Sequence, residues 1–181
     1  MTYWALITRL PSATRMCELY ANKSYSHEMS SETVNSHAVT AHWRHAGAVS
    51  LAGKGYQLAM PQDLPSVPGI YRIEAEGLRE IYVGEGSNLI RRLGDYQNAG
   101  WKPDIYSRTN RQIQSWIYRG LDTQKSTFQI YICTSAEFAS NGTSSTPLNL
   151  NQKYFRALVE ASTIAHCRDW TIVNKQYDRA L

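Results

Sequence analysis

From residue 69 onward, short β-rich runs alternate with stripes of helical period. The runs GIYRI (69–73) and IYVG (81–84) flank a polar stretch containing Gly77, a pattern that predicts a β-hairpin. Asn88 then caps a helix, NLIRRLGDY, in which Leu89, Leu93 and Tyr96 recur on one face. A second helix is predicted over Arg108–Arg119, with Ile113, Trp116 and Ile117 as its apolar stripe and Gly120 as its cap. TFQIYICT (127–134) is a strand by its β-branched and aromatic content, and the Ser/Thr/Asn-rich stretch 135–150 reads as a long loop. A last helix follows over about Gln152–His166, then a short extended segment, WTIVN (170–174). The first 65 residues are patterned more weakly. Val34, Ala38, Ala41 and His45 share a face and predict a helix over Thr33–His45, while LAGKGYQL around Gly53 and Gly55 predicts a turn into a short strand. Prolines at 61, 65 and 68 mark a boundary between an extension, 1–65, and a core, 66–181.

This order predicts a small α/β (α+β) domain with an antiparallel component. It does not predict a Rossmann unit, whose glycine-rich turn leads from the first strand straight into a phosphate-binding helix. A chain of 181 residues, 43% of them hydrophobic, can bury a core without staples. Its three cysteines are far apart and odd in number, so neither a disulfide framework nor a zinc ribbon is expected. With no signal segment and no apolar window of spanning length, the expectation is a soluble cytoplasmic protein without a membrane partner. The net charge of +4 is concentrated: residues 88–125 carry seven basic side chains (Arg91, Arg92, Lys102, Arg108, Arg111, Arg119 and Lys125) against three acidic ones. That distribution permits a polyanionic partner.

The stretch 68–96 carries the chemistry. Tyr71 and Tyr82 lie on adjacent strands, Gly84 removes a side chain at the end of the second, and Arg92 and Tyr96 follow one turn apart on the helix. A guanidinium beside phenols suits a phosphodiester, because the planar fork grips non-bridging oxygens and a phenol can relay a proton. Each residue alone has a plainer account, with the tyrosines as amphipathic sheet residues and Arg92 facing solvent. Glu160, between Val159 and Ala161 on the last helix, needs either a basic partner or a metal, and both remain open. The Gly84-Glu85-Gly86 turn lacks a Walker lysine, so no nucleotide cofactor is expected. His42 and His45 lack the Cys or carboxylate that would complete a metal spacing.

Taken in order, Gly69-Ile70-Tyr71, Tyr82-Val83-Gly84, Asn88-Leu89, Arg92, Tyr96, Glu160 and Asn174 resemble the GIY-YIG nuclease superfamily, with Val in place of Ile in the second triplet. The resemblance spans about 69–175 and looks most like the compact type II restriction branch. It implies a three-stranded, mostly antiparallel sheet flanked by helices and a metal-dependent endonuclease acting on double-stranded DNA. It implies Tyr71 as base, Tyr82 as its partner, Arg92 on the phosphate, and Glu160 holding one Mg²⁺, with Mn²⁺ as a substitute. Asn174 would fix the carboxylate or a nearby backbone group. Arg91, Lys102, Arg108, Arg111 and Arg119 would meet flanking phosphates. Where some members carry a lysine near the second triplet, this chain has Ile81 and Glu85, which leaves Arg79 or Arg91 to replace it. A palindromic target would require a homodimer, with 1–65 serving recognition or dimer contacts. A structure-selective repair or mobile-element nuclease, and a DNA-binding protein with a worn site, are the rival readings.

Overall fold

The computed structural model describes residues 4–6, 37–52, 57–98, 107–140 and 144–174. Its strands are β1 (Trp4–Leu6), β2 (His37–Ala52), β3 (Gln57–Ala59), β4 (Gly69–Ala75), β5 (Glu80–Gly86), β6 (Phe128–Ser140), β7 (Thr146–Pro147) and β8 (Thr171–Ile172). Its α-helices are α1 (Leu89–Asn98), α2 (Arg108–Asp122) and α3 (Lys153–His166). The main path through the sheet is β1-β2-β6-β4-β5-β8, with β3 paired on β2 and β7 on β6. All pairings are antiparallel except β5–β8, which is parallel.

This overturns the expected three-stranded sheet. β6, β4 and β5 do form an antiparallel trio, but it is the middle of a larger mixed sheet. Two misread segments account for β2 and for the length of β6. The described part of the predicted helix Thr33–His45 is the start of β2, a 16-residue strand; residues 33–36 lie outside the described residues. Alanine-rich and spaced like a helix, it is drawn into the sheet by pairing along β6, where packing on a neighbouring strand outweighs local propensity. The expected loop 135–150 begins as strand: residues 135–140 extend β6, residues 136–140 pair with His37–Ala41, and β7 folds back on Glu137 and Phe138. β2 belongs to the 1–65 segment and β6 to the 66–181 segment, so the sheet runs across the proline-marked boundary.

The β4–β5 hairpin positions the rest. Its alternation sends Tyr71, Ile73 and Tyr82 to one face and Ile70, Ile81 and Val83 to the other. α1 and α2 cover the first face with Leu89, Leu93, Tyr96, Ile113, Trp116 and Ile117, the stripes their sequence period predicts. α3 covers the second face through Val159, against Ile70, Val83 and Cys133. Ser107 caps α2, its hydroxyl accepting from the Asn110 backbone N–H at 3.2 Å. No described helix is long and apolar enough to cross a membrane.

Candidate active site

Three phenols meet under α1. Tyr71 of β4, Tyr82 of β5 and Tyr96 of α1 have ring centroids 6.1–6.2 Å apart. The Tyr71 and Tyr96 hydroxyls are 2.5 Å apart, and Tyr96 Oη donates to Tyr82 Oη at 3.5 Å. Register explains the convergence: Tyr71 stands opposite Gly84, and a Cβ at 84 would lie 2.4 Å from the Tyr71 hydroxyl. The missing side chain is the space the phenol fills. Gly84→Ala should therefore destabilise the fold by about 1–3 kcal/mol through overpacking, read as a shifted denaturant midpoint. An unchanged midpoint would show that the phenol can move aside at no cost.

Arg92 joins the cluster from the same helix. Its Cζ lies 5.2 Å from the Tyr96 ring centroid, and its Nη1 donates to Asn110 Oδ1 at 2.8 Å. Tyr71 has no exposed surface; burial, followed by the neighbouring Tyr82, pushes its phenol well above the usual range against the opposing pull of Arg92. Burial likewise raises Tyr96. Tyr82 is 6% exposed and lines a cleft of about 460 Å³ between α2 and Val173 and Asn174, just past β8. Tyr82 is thus the phenol of the three that borders this cleft.

Glu160 of α3 is 6% exposed, and its carboxyl is pushed up to about 7. Burial is the main cause, the Glu85 carboxylate adds to it, and Arg92 opposes it. Glu85 is itself engaged: Arg156 Nε donates to Glu85 Oε2, while Arg156 Nη1 donates to the Leu150 and Asn151 carbonyls at 2.8 and 3.0 Å. Asn174 serves the backbone. Its Oδ1 accepts from the Val83 N–H at 2.9 Å and its Nδ2 donates to the Val83 carbonyl, continuing the β5–β8 ladder with a side chain.

Of the five cations placed on flanking phosphates, Arg108, Arg111 and Arg119 line the cleft along one face of α2. Arg91 is exposed on α1, and Lys102 lies outside the described residues. Arg79 occupies a left-handed turn (φ 50°) at the start of β5, five residues before Gly84 and so about 17 Å along the strand from it. Sequence reasoning passed over Asn110 and the Glu85–Arg156 pair. Asn110 was legible: with Ile113, Gln114 and Ile117 it falls on the apolar stripe of α2, where a buried polar side chain needs a partner.

No family model matches the chain, and no curated protein matches it. Among solved structures, a mutant of bacteriophage T4 EndoII is similar at 18% identity and a TM-score of 0.46, covering 65% of this chain and 84% of that one, a likeness too distant to place either fold or function.

Proposed function

We propose that the chain is a GIY-YIG-type endonuclease that hydrolyses phosphodiester bonds of double-stranded DNA, acting at a specific sequence as a type II restriction enzyme. The observation that carries this reading is the convergence of the buried Tyr71, Tyr82 and Tyr96 with the half-buried Arg92 beside an arginine-lined cleft, with Glu160 in electrostatic reach of Arg92. A purely structural core has little use for a cation and three phenols together. Arg92 supplies the planar fork for non-bridging oxygens and for the charge that develops on them. Tyr82, at the edge of the cleft, meets the attacking water, while Tyr71 and Tyr96 hold it from behind.

A divalent cation, Mg²⁺ with Mn²⁺ as a substitute, fits Glu160. Burial and the nearby Glu85 carboxylate raise the cost of its charge against the opposing pull of Arg92, and a dication would lower that cost further. Among the described residues no group of three or more His, Cys, Asp or Glu could form a cage. Mg²⁺ needs none: it binds economically through one carboxylate, waters and a substrate phosphate. Bound there, it would stabilise charge on the leaving oxygen.

Recognition of a palindrome would call for a homodimer on DNA, with the 1–65 segment contributing base or dimer contacts. The decisive experiment is incubation of unmethylated plasmid with the protein and Mg²⁺. Discrete fragments support a restriction enzyme. Cleavage confined to branched or flapped duplexes supports the repair reading, and the absence of any cleavage removes the enzyme.

The cleft arginines give a separate test. Arg108, Arg111 and Arg119 recur at roughly one-turn multiples, so α2 can lie along a phosphate backbone. Replacing each by Ala should lower the slope of log Kd against log salt by about 0.9, measured in Ca²⁺. A slope that does not change in the triple variant would move the DNA to another surface.

A further inference from the structure

Arg92 is a long side chain, and the proposed chemistry needs it aimed. A guanidinium has five N–H donors in a rigid fork, but the stem that carries it is flexible. Three neighbours constrain it here. The Tyr96 ring packs beside its Cζ, the buried Tyr71 phenol interacts with it electrostatically, and Asn110 Oδ1 accepts from Nη1 at 2.8 Å. Tyr71 and Tyr96 belong to the phenol cluster itself. Asn110 belongs to neither the cluster nor the cleft wall, and it comes from a different helix.

Asn110 is 4% exposed and sits in the first turn of α2, where its backbone N–H is fixed by the Ser107 cap. Its sequence neighbours Thr109 and Arg111 line the cleft, as does Arg108. One turn of helix thus presents Arg108 and Arg111 outward to the cleft and Asn110 inward to Arg92.

We infer that Asn110 is a positioning residue, which anchors one nitrogen of Arg92 so that the other donors stay aimed at the phosphate and registers that aim to the helix whose arginines seat the flanking backbone. The inference rests on the reading of Arg92 as the phosphate clamp. Its physical content is pre-organisation: an arginine already held in place loses less freedom on reaching the transition state. Asn110 touches no substrate, so its loss lowers the rate constant rather than the affinity.

The test is a double-mutant cycle on the full-length protein, read by single-turnover cleavage of a labelled duplex in Mg²⁺ and by duplex binding in Ca²⁺. Asn110→Ala removes the acceptor and is a better helix former; Asn110→Leu removes it while keeping the branched side-chain shape, should the smaller side chain leave the protein unfolded. Either variant should slow cleavage by about tenfold or more while shifting Kd by less than about threefold. In an Arg92→Lys background, the same Asn110 substitution should change the rate by less than about twofold, because its route of action is already gone. If Arg92→Lys itself cleaves like the unmodified protein, the reading of the clamp fails. If Arg92→Lys is impaired but Asn110→Ala cleaves normally, the clamp stands and the positioning role falls. A tenfold loss that persists undiminished in the Arg92→Lys background also overturns it, since Asn110 then acts through another group. A merely structural Asn110 would lower the unfolding midpoint without changing the rate constant of the folded enzyme.

Discussion

Glu160→Gln should abolish cleavage and, at neutral pH and above, make the protein more stable. The two effects share one cause. The carboxyl is buried at 6% exposure with its pKa pushed up to about 7, against about 4.5 in a solvated chain. Between those values the folded protein holds a proton that the unfolded chain has released, so stability falls as pH rises through this window. Above pH 7 the whole cost is present, up to about 3 kcal/mol. Glutamine has the same shape and no charge to bury, so its stabilisation should be largest at pH 8 and vanish below about pH 4.5. Denaturant titrations at pH 4, 6 and 8 in EDTA read this directly. Cleavage goes the other way, because an uncharged amide replaces the carboxylate proposed to hold the dication, while duplex binding through the α2 arginines should persist. A glutamine variant that cleaves at more than about a tenth of the unmodified rate would make Glu160 structural and remove the metal assignment. Equal stabilities at pH 8 would mean that the buried carboxylate is already compensated by the protein.

The hairpin and the helix after it were readable because nothing contradicts their local signals. Tyr71, Ile73 and Tyr82 alternate with the strand period, and Asn88 accepts from the Arg91 N–H just where a cap is expected. β2 was not readable for a specific reason. Register shifts between Ala41 and Trp43 and between His45 and Gly47 break its alternation twice, and what is left, rich in alanine, has the spacing of a helix. The outer half of β6 hides in the same way: Ser, Glu and Ala read as loop, yet its Ala136 packs opposite Ala41 of β2. These strands are recognisable only as a pair, since each supplies the partner that the other's composition does not announce. The candidate site shows the complementary limit. Residue types and order marked the phenols, Arg92 and Glu160, but which phenol borders the cleft depends on how α2 lies over β5, which no local pattern encodes.

That last point carries the second large expected effect. Tyr82→Phe should slow single-turnover cleavage by about 10²–10⁴, the usual weight of a positioned proton acceptor, and by more than Tyr71→Phe does. A base must touch the water it deprotonates, and Tyr82 lines the cleft whereas Tyr71 has no exposed surface. Burial also holds the Tyr71 phenol well above its ordinary range, which disfavours the phenolate in the resting protein. Tyr71 still matters through contact: its hydroxyl meets that of Tyr96, which donates to Tyr82. Removing the Tyr71 hydroxyl loosens this chain without deleting its cleft-side end, so an intermediate loss is expected. Both Phe variants keep the rings that pack on Leu93 and Ile117, and far-UV circular dichroism and the unfolding midpoint should stay close to those of the unmodified protein. The reverse order, with Tyr71→Phe the more damaging, would return the base to Tyr71 and require the cluster to open when DNA binds. Near-normal rates in both would leave the phenols as packing and place deprotonation on a cation-bound water.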